Sequence, residues 1–316
     1  MTFSSRLCWT QCLENYSCKA LRMVSAMRKL FNTYKNIPID IAFHIFDVKI
    51  KPMVLYASQI WGFGYHECIE KVQIQFCKAY LGVGKTTSND LALVECGRYS
   101  LSVEYNLTAV KYWTKLIYMN DERYPKKCYQ QLKAHSDMGR TNWVSGIRNL
   151  LFSLGYGQVW IDQEQLSDVK LLLCDVKQRL IDIDLQNLNS RIKDKSEIYF
   201  NYNSINFYPS TNVVPYMLLT FENINRRLFT LFRTHSLPIK NNLLRWNIAN
   251  NNLCEMCNGI FVENEFHILF RCSKYKNIRE KFIPVNLRSN PNIQTLHTIL
   301  ATSDTFLIKK HFPLSK

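Results

Sequence analysis

The sequence lacks the features of several large protein classes. It contains no internal repeat and no low-complexity run, which excludes a repeat array and a compositionally biased disordered chain. Its longest uncharged stretch, around Trp61, contains Pro52, Gly62 and Gly64 and is too short to span a membrane. Arg6 and Glu14 interrupt the N-terminal region, where a signal peptide would have an unbroken apolar core. We therefore expect a soluble, non-secreted protein.

The sequence also lacks the common signatures of phosphate chemistry. The segment GVGKTT, 82–87, does not have the G-x4-G-K-[ST] spacing of a phosphate-binding loop, and it follows a predicted helix instead of a strand. No two aspartates are adjacent anywhere in the chain. Asp182 and Asp184 lie one residue apart in a helical run, so they point to different sides and are predicted to be solvated. No two-metal polymerase centre is indicated.

What the chain does have is cysteine and positive charge. Eleven cysteines without a secretory signal indicate reduced thiols inside the cell, in the nucleus or the cytoplasm. Lys and Arg number 40 against 25 Asp and Glu, a net charge of +15. Residues 216–316 hold 14 basic and 6 acidic residues (+8), whereas the first 215 hold 26 and 19 (+7). This balance favours a polyanionic partner such as RNA or single-stranded DNA, over the alternative of a merely basic protein.

One spacing pattern is specific. It reads C-x2-C-x9-H-x4-C and consists of Cys254, Cys257, His267 and Cys272. A C-x2-C pair is expected by chance about 0.4 times in a chain with this cysteine content, and a correctly placed H-x4-C makes the joint pattern much rarer. Thiolates and imidazole are the ligands of a structural zinc ion in a closed tetrahedron. Scattered buried thiols or a disulfide are the alternatives.

The residues between these ligands fit a metal-binding loop. Asn258 and Gly259 follow the second cysteine and both tolerate a positive φ, so they predict a tight turn. His267 interrupts an apolar run, FHILF, whose other side chains we expect to pack beneath the metal. A histidine in such a run is usually a core residue, but the cysteine five positions later favours a ligand.

Here the sequence resembles a known family. The run LCEMCNGIFVENEFHILFRCSKYKNIREKF, 253–282, resembles the C-terminal zinc knuckle of non-LTR (LINE-type) retrotransposon reverse transcriptases, and LFRTHSLPI, 231–239, resembles the segment that precedes it. The chain departs from the family at 240–242, KNN, where an acidic residue and a glycine are usual. A more diffuse similarity to the family's thumb and connector covers LYASQIWGF, IEKVQIQFCKAYLGV, TTSND, ECGRYSL and NWVSGIRNLLFSLGYGQVW.

The resemblance implies a nucleic-acid-binding fragment or remnant of a reverse transcriptase. The paired aspartates of the family's palm are absent, so the chain alone is expected to be catalytically inert. Phosphate contacts are expected from Arg271, Lys274, Lys276, Arg279 and Lys281. Tyr275, Ile278 and Phe282 are expected to pack that basic helix down. Two alternatives remain: a structural or protein-interaction helical domain stabilised by zinc, and part of an active polymerase encoded with an upstream palm.

The predicted fold class is mostly α, a helical bundle or connector with a small C-terminal zinc knuckle at 254–272. Helices are predicted at 19–35, at 66–81, within 142–160 and at 164–195. A helix after Pro38 should break or kink at Pro52, with an apolar face formed by Ile41, Ala42, Ile45, Phe46 and Val48. Three regions are predicted. Residues 1–120 form a thumb- or connector-like region, 121–215 a polar connection with helices and a Tyr/Asn-rich loop, and 216–316 the basic region with the knuckle.

Overall fold

The structure, a computed structural model, describes residues 9–34, 36–163, 168–194, 214–218 and 223–301. It is 72% helical, and the described part contains no β-strand, which confirms the mostly α class. The Tyr/Asn-rich loop predicted at 199–215 lies almost entirely outside the described residues. No helix within the described ranges is long and apolar enough to cross a membrane.

The α-helices found in these residues are numbered in chain order. Their bounds are α1 Thr10–Thr33, α2 Ile39–Ile45, α3 Lys51–Val54, α4 Ser58–Trp61, α5 Glu67–Leu81, α6 Asn89–Glu95, α7 Leu101–Ile117, α8 Tyr124–Asp137, α9 Trp143–Ser153, α10 Gly157–Ile161, α11 Val169–Lys193, α12 Asn223–Arg233, α13 Lys240–Arg245, α14 Lys276–Phe282, α15 Val285–Arg288 and α16 Ile293–Ala301. Two π-helices, Phe46–Ile50 and His267–Arg271, interrupt this α-helical pattern.

The chain divides into two compact units. Unit 1 takes its described residues from Met1–Met23, Phe46–Gln73 and Tyr99–Asn187. Unit 2 takes them from Val24–Ile45, Ile74–Arg98 and Leu188–Lys316. The division at residues 120 and 215 stays a prediction. The metal-ligand pattern lies within unit 2.

The region around Pro52 agrees only in part with the prediction. The chain stays helical there, because a π-helix, Phe46–Ile50, leads into α3, and Pro52 lies in the first turn of α3, where a missing N–H leaves no helix bond unmade. Of the predicted apolar face, Ala42 and Phe46 are buried, whereas Ile41 and Val48 are each 50% exposed. Phe43 is buried instead, and its ring meets the edge of Phe76 with centroids 5.3 Å apart. Burial of the large aromatic ring of Phe43 contributes more than burial of Ile41 or Val48, so the side of α2 that carries Phe43 packs into the core.

The core of unit 1 forms around Trp113 of α7. Its ring stacks on Trp160 at 5.8 Å, and its indole N–H donates to the hydroxyl of Tyr129 at 3.2 Å. Tyr129 belongs to α8, a 14-residue helix within the region predicted as a polar connection. Helix α8 buries only Tyr129 and Ser136, so its sequence has no apolar stripe from which a helix could be predicted.

Two carboxylates cap the start of α7. Glu70 of α5 is 1% exposed and accepts hydrogen bonds from the amides of Leu101 at 2.9 Å and Ser102 at 2.7 Å. Asp184 accepts from the amide of Ser100 at 2.8 Å and from its hydroxyl at 2.5 Å. Asp184 is therefore not the solvated residue that its position in the sequence suggested. Helix N-termini favour such acceptors because their first amides lack partners within the helix.

The Glu70 carboxyl should make unit 1 less stable as the pH rises from acid to neutral. Burial raises its pKa from 4.5 to about 7, despite the lowering effect of the two amide hydrogen bonds. A raised acid pKa means that the folded state holds the proton more tightly, so this stabilisation is complete below pH 4.5 and is lost by about pH 7. The shift corresponds to about 3 kcal/mol.

Urea unfolding of the parent and of Glu70→Gln at pH 5 and pH 7 measures this effect. We expect the parent to lose stability relative to Glu70→Gln between the two pH values, because the amide does not titrate. The comparison also cancels the titration of the cysteines and histidines, which both proteins share. An equal difference at both pH values would contradict the assigned role of Glu70.

A buried ion pair occupies the interior of unit 2. The guanidinium of Arg233 donates to the carboxylate of Glu95 at 3.0 Å, with side chains 3% and 0% exposed. The same carboxylate accepts from the hydroxyl of Tyr216 at 2.5 Å, and Arg233 also donates to the carbonyl of Leu300 in α16. Because Arg233 lies in the LFRTHSLPI segment, this network ties the approach to the knuckle into the core of the unit.

Candidate metal centre

The first pair of ligands lies on a tight turn. The amide of Cys254 donates to the carbonyl of Phe261 at 2.8 Å, and Gly259 donates back to the carbonyl of Cys254 at 3.0 Å. Asn258 and Gly259 have φ values of 54° and 69°, as predicted. This reversal holds Cys254 and Cys257 three residues apart at the two ends of a short 3-10 helix.

The second pair of ligands lies on a single π-turn. His267 begins the π-helix, and the amide of Cys272 donates to its carbonyl at 2.7 Å. A hydrogen bond from residue i+5 to residue i defines a π-turn, and it brings those two residues together. The H-x4-C spacing is therefore matched by the backbone. The side chain of Asn264 accepts from the amide of His267 at 2.8 Å and fixes the start of this turn.

The structure brings all four predicted ligands together. Their ligand atoms lie within 4.8 Å of one another, so these side chains could hold a single metal ion. Sγ of Cys272 lies 3.9 Å from Sγ of Cys254 and 4.0 Å from Sγ of Cys257. Nε2 of His267 lies 3.6 Å from Sγ of Cys257. The cysteines are free, and their sulfurs are about twice as far apart as in a disulfide, which excludes that alternative.

The electrostatics of the cluster are uneven. Burial raises the pKa of Cys254 to about 11, whereas hydrogen bonds from the amide and then the hydroxyl of Ser273 lower the pKa of Cys257. Burial lowers the pKa of His267, which favours the neutral imidazole that binds metals. Nδ1 of His267 is buried and has no hydrogen-bond partner among the described residues. A bound ion would have to displace protons from thiols such as Cys254, so its affinity should rise with pH.

A buried polar cluster joins the knuckle to the segment before it. The carboxylate of Glu265 lies 3.5 Å from Nδ1 of His235 and accepts from the side-chain amide of Asn242 at 3.0 Å. All three side chains belong to residues no more than 4% exposed. The pKa of Glu265 is lowered: burial is the largest single effect and raises it, but the imidazole of His235 and the amide of Asn242 act in the opposite direction. Sequence reasoning missed this contact because it spans more than twenty residues.

Lys240 makes a second link. Its ammonium lies 2.7 Å from the carboxylate of Glu255, which is inside the C-x2-C turn. Its amide donates to the carboxylate of Glu263 at 3.2 Å, and the next amide, of Asn241, donates to the carbonyl of Glu263 at 3.1 Å. The start of α13 therefore contacts both halves of the ligand cluster. The only sequence signal for these contacts is the presence of two acidic residues, Glu255 and Glu263, between the ligands.

The five predicted phosphate-binding residues do not share one environment. Four are exposed: Arg271, Lys274, Lys276 and Lys281. Arg279 is half-buried and donates to the carbonyls of Leu269 at 2.9 Å and Cys272 at 2.5 Å, so it braces the π-turn. The expected packing of Ile278 is wrong, since it is 53% exposed, while Tyr275 and Phe282 are half-buried.

We compared the chain with models of known protein families, with curated proteins and with solved structures, and none of these comparisons gave a match. The function must therefore be inferred from the site. Within the described part of the chain, no second group of three or more Cys, His, Asp or Glu side chains has a geometry suited to a metal ion. The ligand cluster is accordingly the place where the sequence pattern and the geometry agree.

Proposed function

We propose that this chain binds single-stranded nucleic acid, RNA or single-stranded DNA, through a knuckle held by a structural zinc ion. The observation that carries this proposal is the composition of the knuckle surface. Four exposed cations lie at the end of the ligand pattern, Arg271 just before Cys272 and three lysines after it. Exposed apolar side chains, Ile260 at 70% and Phe261 at 45%, lie between the ligands. Cations bind phosphates and apolar or aromatic faces accept bases, the two contacts that a single strand offers.

Zinc is the ion that fits these donors best. With Zn–S near 2.3 Å and Zn–N near 2.0–2.1 Å, a tetrahedron has S–S edges of about 3.8 Å and S–N edges of about 3.6 Å. Three of the six ligand-atom distances here are 3.9, 4.0 and 3.6 Å, and all six are within 4.8 Å. Three thiolates and an imidazole favour zinc over hard cations such as Mg²⁺. Four protein ligands leave no open position, so the ion would stabilise the fold and take part in no reaction.

The resemblance to LINE-type reverse transcriptases supports a more specific origin. We infer a fragment or remnant of such a polymerase, located in the nucleus or cytoplasm and unable to extend a primer by itself. The contact of Glu265 with His235 supports this, because it connects the two segments that carry the resemblance. Incubation with primed template, nucleotides and divalent metal should give no incorporation.

A second function is favoured by one observation. Met256 is 55% exposed and lies in the same turn as Ile260 and Phe261, so the knuckle presents several large apolar side chains to solvent. Exposed apolar patches also mark protein–protein interfaces. A structural or protein-interaction domain stabilised by zinc is therefore the alternative, with its basic charge unused.

Salt-dependent binding distinguishes the two functions. Replacing Arg271, Lys274, Lys276 and Lys281 together with Gln should weaken binding to a labelled single strand. It should also reduce the slope of log K against log salt by about 3, at about 0.7 for each phosphate contact. Arg279 is kept because it braces the knuckle.

The matched control replaces four exposed cations of unit 2 away from the knuckle, Arg28, Lys29, Lys85 and Lys193. It removes the same charge, so a general loss of positive potential would affect both variants equally. If the knuckle variant binds as tightly as the control, the basic helix is only scaffolding and the interaction domain becomes the better proposal.

Arg279 should contribute to metal affinity instead of nucleic-acid affinity. Replacing it with Met removes the two donors that hold the carbonyls of Leu269 and Cys272, so the π-turn that positions two ligands should loosen. We expect the zinc affinity to fall by about tenfold, as for other residues that orient metal ligands. Competition with a chromophoric chelator measures it, with Lys281→Met of the same helix as control. Equal affinities in the two variants would refute the bracing role.

A further inference from the structure

Unit 1 contains a cleft that the knuckle does not explain. Its volume is about 580 Å³, and it lies beside the end of α7, the following turn and the start of α11. Apolar side chains line it, Met119, Val169 and Leu173 among them, together with three cations, Lys111, Lys115 and Arg123. No acidic side chain lines it among the described residues. The cleft thus combines an apolar surface with positive charge.

The helical spacing of α7 sets out these groups in a row. Lys111 and Lys115 are four residues apart and Tyr118 comes three residues later, so all three lie on one stripe of the helix. Tyr118 is 53% exposed. A rise of 1.5 Å per residue puts successive members of this stripe about 5–6 Å apart along the axis. An extended anion could therefore contact the lysines and then the ring in turn.

No neighbour among the described residues neutralises the positive charge of the cleft. Lys111, Lys115 and Arg123 are exposed, and their side chains have no ion pair or hydrogen bond with any other described residue. The two acids directly before Arg123 are engaged elsewhere: Asp121 lies 4.0 Å from the ammonium of Lys126, and Glu122 lies 3.1 Å from that of Lys127. Charge complementarity thus requires an anionic occupant.

We propose that this cleft binds a segment of single-stranded nucleic acid, with phosphates on the three cations and a base against Tyr118 and the apolar side chains. The inference rests on the proposed function and adds a second contact for the same ligand. An acidic peptide would also meet the charge requirement, but its backbone amides would need polar partners. Among the uncharged lining residues, Thr114, Tyr118 and Asn120 offer such partners and Met119, Val169 and Leu173 do not. The face of a base needs none.

The test uses the full zinc-loaded chain and a fluorescently labelled uridine decanucleotide. Replacing Lys111, Lys115 and Arg123 with Gln should weaken binding by about tenfold or more and lower the salt slope by about 2. The matched control replaces three exposed cations elsewhere in unit 1, Lys19, Arg22 and Lys71, with Gln. We expect the control to bind within about twofold of the parent, because its charges do not contact the strand.

A second variant separates stacking from charge. Tyr118→Leu should weaken binding by about fivefold or more without changing the salt slope, because stacking releases no counterions. Cross-linking with a 4-thiouridine decanucleotide should label the peptide that contains Tyr118. Circular dichroism of both variants should match the parent, since the replaced side chains are exposed.

The outcomes are distinct. If the cleft variant binds like its control while the knuckle variant loses affinity, this inference is overturned and the proposed function stands. If the parent does not bind the decanucleotide, the proposed function fails and the inference fails with it. If decaglutamate binds in a way that depends on the three cations and the decanucleotide does not, the cleft is a peptide site and the inference is again overturned.

Discussion

Replacing Cys257 with Ser should abolish stoichiometric zinc binding and unfold the knuckle, while unit 1 stays folded. Structural zinc binds zinc-finger peptides with about 10–16 kcal/mol at neutral pH, and this binding free energy stabilises the fold. The apolar core of the knuckle is small, because neither the 3-10 helix Glu255–Cys257 nor α14 contains a buried residue. So small a segment cannot form a sufficient apolar core alone.

Two measurements on the same samples test this result. Metal analysis should give one zinc per chain in the parent and a substoichiometric value in Cys257→Ser. Hydrogen exchange should accelerate across 254–282 and remain slow in α7, which belongs to unit 1. Cys128→Ser is the matched control, because Cys128 is a free and exposed cysteine in α8. Unchanged zinc content in Cys257→Ser, or equal exchange in the two variants, would contradict the proposed ligand set.

Replacing Arg233 with Met should destabilise unit 2 by about 3–5 kcal/mol, the usual result of removing one partner of a buried ion pair. The cost comes from the carboxylate of Glu95, which is 0% exposed and would lose its counter-charge. The hydroxyl of Tyr216 would still donate to this carboxylate, but a neutral donor compensates a buried charge poorly. The carbonyl of Leu300 would lose the same guanidinium.

Urea denaturation of three variants tests the role of the pair. Arg227→Met lies on the same helix at an exposed position and should change stability by much less. The double variant of Arg233→Met with Glu95→Gln should recover part of the loss, because it leaves no buried charge unpaired. If Arg233→Met is no more destabilising than Arg227→Met, the pair does not stabilise unit 2.

The features that the sequence predicted correctly all depend on short-range rules. The helix predicted at 66–81 is α5, and its apolar stripe, Ile69, Val72, Phe76 and Ala79, is buried as expected. The helix predicted after Asn142 has that residue as its cap, with amides of the first turn bonded to its side chain. In each case the hydrogen bonds join residues that are only a few positions apart. The spacing of residues in the sequence is therefore enough to predict the helix or its cap.

The ligand cluster was predictable for the same reason. The turn at Asn258 and Gly259 closes one pair of ligands and a π-turn closes the other, so each pair is set by its own local spacing. Only the meeting of the two pairs required the fold. The buried face around Phe43 was missed because several apolar stripes fit one helical period, and the choice among them depends on what each side chain packs against.

By itself, then, the sequence determined the helical class, the turns and the four residues of the Cys/His cluster, because backbone hydrogen bonds and side-chain spacing fix these within a few residues. Only the tertiary structure decided that Glu70 and Asp184 cap α7, that Arg279 braces the π-turn while four other cations stay exposed, and that Lys111, Lys115 and Arg123 line one cleft. Each of these roles depends on which residues, far apart in the sequence, come into contact and on whether they are buried or exposed. The packing of whole helices sets that environment, and no local spacing encodes it.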